Sequence, residues 1–150
     1  MTGEEQAMDT KNPVVRLCAE GMELEGRDPA VAKRRFDEAW GLASNDYEAC
    51  VAAHYVARHQ ETPEATLHWN QVALDRARAT TFPQVAGFLP SLHLNLGKSL
   101  EDCGQIAPAR LQYELARATV KHLPDDGYRQ FVEGGIERAL ARVGAAQGWS

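Results

Sequence analysis

Two rows of side chains in this sequence are of types that could do chemistry. Tyr47, Cys50, His54 and Arg58 recur three or four residues apart, so a helix would present them on one face. Ser91, Asn95, Lys98 and Asp102 form a second row with the same spacing. Arg and Lys beside hydroxyl and amide donors suit an anionic group such as a peptide carboxylate, which Arg can hold with two parallel hydrogen bonds. Cys50 four residues from His54 offers one reactive reading, since an imidazole can depress a thiol and make it a nucleophile. No orienting carboxylate or oxyanion donor accompanies that pair in the sequence. The rival to a binding role for Arg58 is an internal ion pair with Asp102 or Glu61, and both readings stand at this point. His54 alone reads as a hydrogen-bonded structural histidine.

Other chemistries leave no signature. His54 and His59 are five apart, on different helix faces, whereas a zinc-binding helical pair is spaced by four. Glycines occur singly or as Gly134-Gly135, without a phosphate loop or dinucleotide fingerprint. Neither a GxSxG elbow nor a catalytic triad is recognisable. The sequence thus implies no cofactor and no metal. Cys18, Cys50 and Cys103 are an odd, scattered set without CxxC, which argues against a disulfide framework and predicts a reduced, cytoplasmic setting. The net charge of −5 over 150 residues speaks against a nucleic-acid partner, and no apolar run approaches the length of a membrane span. Nor does the start resemble a signal peptide.

The elements that must position these residues read as helices throughout. Residues 1–12 are expected to be a disordered leader, and the first helix covers 14–25. Gly26 closes it, Asp28 caps the next helix and Pro29 fills that helix's first turn, and the second helix runs to about residue 43. Asn45 and Glu48 stand at capping-box spacing and open a third helix that ends near His59 or Gln60. Thr62-Pro63 opens a fourth, to about residue 79. A fifth is expected from Pro83 to Gly104 with Pro90 as a kink or break, a sixth from near Pro108 to His122, and a seventh over 128–143 with Gly144 as its stop. The seventh carries an apolar stripe of Tyr128, Phe131, Val132, Ile136, Leu140 and Val143. The remainder, 145–150, reads as a flexible tail containing Trp149. The fold class is all-α, with one helical domain over 13–144.

Three of these helices share a pattern. Ala32-Phe36-Ala39 and Ala65-Trp69-Val72 lie 33 residues apart at all three places, and Ala109-Tyr113-Ala116 follows 44 residues further on. Each triplet sits on the second helix of a hairpin, where small residues let helices approach and the aromatic fills the seam. The third copy adds Leu96-Gly97, Leu100 and Gly104 ahead of its triplet. The second has Ala53 and Val56 in the corresponding places, and the first has one extra residue in its turn, so that Gly21 and Glu20 compete for the packing place. This resembles the tetratricopeptide repeat, a unit of about 34 residues made of two antiparallel helices. The resemblance covers roughly residues 13–122, with 128–143 similar to the helix that closes such arrays. It implies a right-handed α-solenoid of about three repeats and a non-catalytic protein or peptide partner held in a concave groove lined by first helices. Tyr47, Cys50, His54 and Arg58 would face that groove with Ser91, Asn95, Lys98 and Asp102. Some members hold terminal carboxylates with a Lys and Asn clamp, but Leu17 and Gly21 stand where its first part would fall. Phe36, Trp69 and Tyr113 read as core, and Trp40 as filling a seam between repeats. Two other readings accompany this one: a small-molecule or enzymatic pocket around Cys50, His54 and Arg58, and an assembly module in which exposed seams join a homodimer.

Overall fold

The computed structural model describes residues 11–146. Among them the chain is all-helical: α1 (Pro13–Leu24), α2 (Pro29–Leu42), α3 (Asp46–Val56), α4 (Pro63–Ala79), α5 (Leu89–Asp102), α6 (Ile106–Thr119) and α7 (Gly127–Ala146). Short 3-10 turns follow α3 (Ala57–His59) and α6 (Val120–His122), and one precedes α5 (Pro83–Gly87). The chain divides into two compact units between Pro83 and Gln84, the first carrying α1–α4 and the second α5–α7.

Local chemistry sets the helix starts. Asp28, Asn45 and Thr62 each accept a hydrogen bond from the backbone N–H three residues on, at 3.2, 2.8 and 3.1 Å, satisfying donors that the first turn leaves open. Proline occupies the first turn of α1, α2 and α4, where its missing N–H costs nothing. One cap falls inside the expected leader: Asn12 accepts from the N–H groups of Val14 and Val15 and donates to Glu48 Oε2 at 2.8 Å, tying the start of α1 to that of α3. Glu48 also accepts from the Ser44 backbone and hydroxyl. Partial burial works to raise its carboxyl, but the bonds from Ser44, Asn12 and Asn45 outweigh it and hold the group below the ordinary value.

Three boundaries differ from the sequence reading. The expected fifth helix is broken at Phe88: 83–87 form a 3-10 turn and the α-helix starts at Leu89, so Pro90 lies in its first turn and produces no kink. α6 begins two residues ahead of Pro108. α7 runs through Gly144 to Ala146, because nothing there demands the left-handed backbone that makes glycine a stop; the one positive φ described is at Gly104, +80°. Trp149 and residues 1–10 lie outside the described residues.

In the first unit α1 pairs with α2, α2 with α3 and α3 with α4, and α1 also lies against α3. Phe36 of α2 is fully buried over Gly21 of α1, and its ring stacks on Tyr55 of α3 with centroids 5.3 Å apart. In the second unit α5 pairs with α6 and α6 with α7, and α5 also touches α7. Tyr113 of α6 is fully buried over Gly97 of α5. The first and third triplets therefore form core seams of the same construction. The second does not: Ala65, Trp69 and Val72 are only half-buried, and α4 buries Asn70, Ala73, Leu74 and Ala77 instead. The first-helix position here is Ala53, itself fully buried, where the other two hairpins have glycine. Trp69 instead meets Trp40 of α2 edge-to-face at 5.0 Å, which places Trp40 in the seam between successive hairpins.

Candidate functional site

α3 is buried on every side from Ala49 through Val56, and Ala57 continues this. An eleven-residue helix of small and aromatic side chains can be enclosed this way because alanine lets its neighbours approach closely. Tyr47, Cys50 and His54 are thus interior residues, Cys50 being 1% exposed. Tyr47 lies against Phe82 with ring centroids 5.5 Å apart, and His54 is edge-on to Tyr55 at 4.7 Å. Arg58, on the 3-10 turn after α3, remains 42% exposed. Its guanidinium lies over the Tyr55 ring and its Nη2 is 2.9 Å from Glu25 Oε1. The other Glu25 oxygen meets His59 Nε2 at 2.9 Å.

The carboxylate that pairs with Arg58 is therefore Glu25 at the C-terminal end of α1, not Asp102 or Glu61. The side-by-side packing of α1 and α3 brings the end of one helix to the end of the other, and His59, lying on the Phe36 ring at 5.3 Å, fixes the turn between them.

Proximity to His54 predicts a lowered Cys50 thiol; the structure shows the reverse. Burial away from water pushes Cys50 up to about 12, and Cys18 of α1 likewise. Both remain protonated thiols at neutral pH. Cys103, half-buried at the C-cap of α5, lies nearer solvent. In native protein a thiol reagent should accordingly label Cys103 first, with Cys18 and Cys50 labelled only on unfolding. Time-resolved labelling read by peptide mass would check this, and early modification of Cys50 would contradict it.

In the second unit Lys98, Asp102 and the Asn95 carbonyl bond within α5, while Ser91 reaches α7. Lys98 Nζ is 2.5 Å from Asp102 one turn on, an exposed pair. Ser91 Oγ and Tyr128 Oη of α7 are 2.9 Å apart. The Asn95 carbonyl accepts from Ser99 Oγ, and the Asn95 side chain is half-buried. Among the described residues no three His, Cys, Asp or Glu side chains gather in a metal-binding cluster. No described helix is long and apolar enough to cross a membrane.

The chain matches no family model, no curated protein and no solved structure. Its reading therefore rests on its own geometry. Two features escaped the sequence reading. One is the Glu25 clasp on Arg58 and His59. The other is a three-helix network in which Glu101 of α5 accepts from Tyr113 Oη of α6 at 2.7 Å and from Arg142 of α7 at 2.6 and 2.9 Å. Both join residues far apart in sequence, and only the offset between neighbouring helices could have pointed to them.

Proposed function

We propose that this chain is a non-catalytic, tetratricopeptide-like module, solenoidal in plan, that recognises a peptide or protein segment carrying an anionic group. The observation behind this reading is that two helix hairpins are built alike: a first-helix glycine under a fully buried second-helix aromatic, Gly21 under Phe36 and Gly97 under Tyr113. A helical bundle has no need to repeat one contact, whereas an array of hairpins does, and such arrays serve as extended binding surfaces. Of the residues singled out for binding, Arg58 and Lys98 keep their charges at the surface, 42% and 57% exposed. The Lys98–Asp102 pair is exposed on both sides, and such pairs are worth only about 0–1 kcal/mol, so an incoming carboxylate can displace Asp102 cheaply. At Arg58 it has the exposed part of the guanidinium to bind, since Glu25 is 19% exposed and is also held by His59. A cytoplasmic setting, with three free thiols, belongs to the same proposal.

The test is an array of synthetic peptides presented as free acids and as amides, probed with wild type, Arg58→Ala, Lys98→Ala and the double variant. Preferential retention on free acids, weakened in the variants, is the expected result. Equal retention on acids and amides by all four proteins would remove the anionic recognition.

A further inference from the structure

We propose that a hollow beside the α2–α3 connection binds a small zwitterion, of the class of a free α-amino acid. The hollow measures about 570 Å³ and lies where the end of α2 and the start of α3 meet the last turn of α4. Small-molecule sites are typically about 300–1,000 Å³. Its apolar wall is the half-buried Trp40 indole, held edge-to-face by Trp69 at 5.0 Å and therefore pre-formed. Gly41 keeps the entrance clear, since a β-carbon there meets nothing within 4 Å.

Two of the polar side chains on the hollow serve the start of α3. The Ser44 hydroxyl donates to Glu48 Oε1, and Asn45 Oδ1 accepts from the Glu48 backbone. The charged groups on the hollow are Asp46 and Arg76. Because α3 and α4 pair as a hairpin, the first residue of one helix meets the last turn of the other. Each charge also suits its helix end, the carboxylate at a start and the guanidinium near a finish. Arg76 Nη1 and Asp46 Oδ1 are 2.9 Å apart, and the side chains are 47% and 37% exposed, so a guest can reach both.

That pair decides the chemistry of the guest. A lone anion drawn to Arg76 would lie against the Asp46 carboxylate, and a lone cation drawn to Asp46 would lie against the guanidinium. Like charges at such range repel. A guest with one charge of each sign, side by side, meets neither penalty. Its carboxylate takes remaining N–H groups of the Arg76 fork, its ammonium takes the second Asp46 oxygen, and the two ion pairs lie antiparallel. An α-amino acid carries its ammonium and carboxylate on neighbouring atoms, so its charges are as closely spaced as those of the pair. Its side chain is left for the indole, on which an aromatic ring packs well. The site uses neither Arg58 nor Lys98 and stands apart from the peptide reading.

The experiment is an NMR titration of the isotope-labelled full chain with L-phenylalanine. A guest of about a dozen heavy atoms at ordinary ligand efficiency binds in the millimolar range, so the titration runs to about 20 mM. Saturable shifts should centre on the Trp40 indole N–H and the amides of residues 41–49. N-acetyl-L-phenylalanine keeps only the anion and L-phenylalaninamide only the cation, and each should bind at least about tenfold more weakly. Asp46→Asn and Arg76→Gln should each weaken binding of L-phenylalanine by about tenfold, and Gly41→Leu, which fills the hollow, should abolish it. None of these three is a core residue, and the same spectra show the variants folded. The two derivatives test the charge pairing on the wild-type chain, whatever the variants do. Absence of a saturable shift with L-phenylalanine overturns the proposal. So does equally tight binding of either derivative, or undiminished binding by Gly41→Leu.

Discussion

Gly97→Ala should destabilise the protein by about 1–3 kcal/mol, and Gly21→Ala should cost a similar amount. The sign is the informative part, because alanine is ordinarily better than glycine inside a helix by about 1 kcal/mol. Here a β-carbon on Gly97 would stand 2.5 Å from Tyr113 Cε1 and 2.7 Å from Cδ1, and one on Gly21 would press on the Phe36 ring more closely still. Both rings are fully buried, and Phe36 is backed by Tyr55, so neither can yield without disturbing the next helix. Gly41 supplies the control. It is also helical, in α2, but a β-carbon there meets nothing within 4 Å, so Gly41→Ala should be neutral or stabilising. Urea unfolding of the three variants decides the matter. If Gly97→Ala and Gly41→Ala shift the midpoint in the same direction, the close approach has no energetic weight.

The same contact shows how far the sequence could be read. Helix starts were legible because their signals are close in the chain: a cap beside its proline in Asp28-Pro29 and Thr62-Pro63, and a capping-box pair three residues apart in Asn45 and Glu48. The all-α class followed from such local signals. Periodicity was a less reliable guide to which face is buried. Phe131 precedes Val132 by one residue, which is about 100° around a helix, and α7 packs on α6 through Val132. In α4 the shared spacing pointed to Ala65, Trp69 and Val72, but this hairpin has Ala53 where the others have glycine, and its buried row is Asn70, Ala73, Leu74 and Ala77. For the binding residues, types and helical faces were legible while burial was not. Whether Cys50 and His54 see solvent depends on what covers α3, and Phe82, which lies on Tyr47, is more than thirty residues downstream. Charge pairing was hidden for the same reason: Glu25 reaches Arg58 only through the packing of α1 on α3.

Glu101→Ala should be the most damaging single loss of charge in the second unit, at about 1–3 kcal/mol, since it strands a donor away from water. The Glu101 side chain is 14% exposed and holds three helices at once through Tyr113 and Arg142. The Arg142 hydrogen bonds hold its carboxyl below the ordinary value, with the Tyr113 hydroxyl and the charges of Arg142 and Lys98 adding to them and partial burial opposing. Reciprocally, burial first and then the Glu101 carboxylate push the Tyr113 hydroxyl up, so it remains a donor across the accessible pH range. Arg142 is nearly half-exposed, and water can replace its partner; Arg142→Ala should therefore cost less than Glu101→Ala. The lowered carboxyl sets the pH dependence. A group whose folded value lies below its unfolded 4.5 contributes its full stabilisation above about that pH and loses it as pH falls through the folded value. Glu101→Gln removes this contribution while keeping the shape. The melting-temperature gap between wild type and Glu101→Gln should thus be constant from neutrality down to about pH 5 and close on further acidification. Glu48, lowered by the bonds around its capping box, should lose its own contribution over the same acid range in both proteins, so it cancels from the difference. A gap that persists unchanged into strong acid would mean that Glu101 acts by packing alone, without its charge.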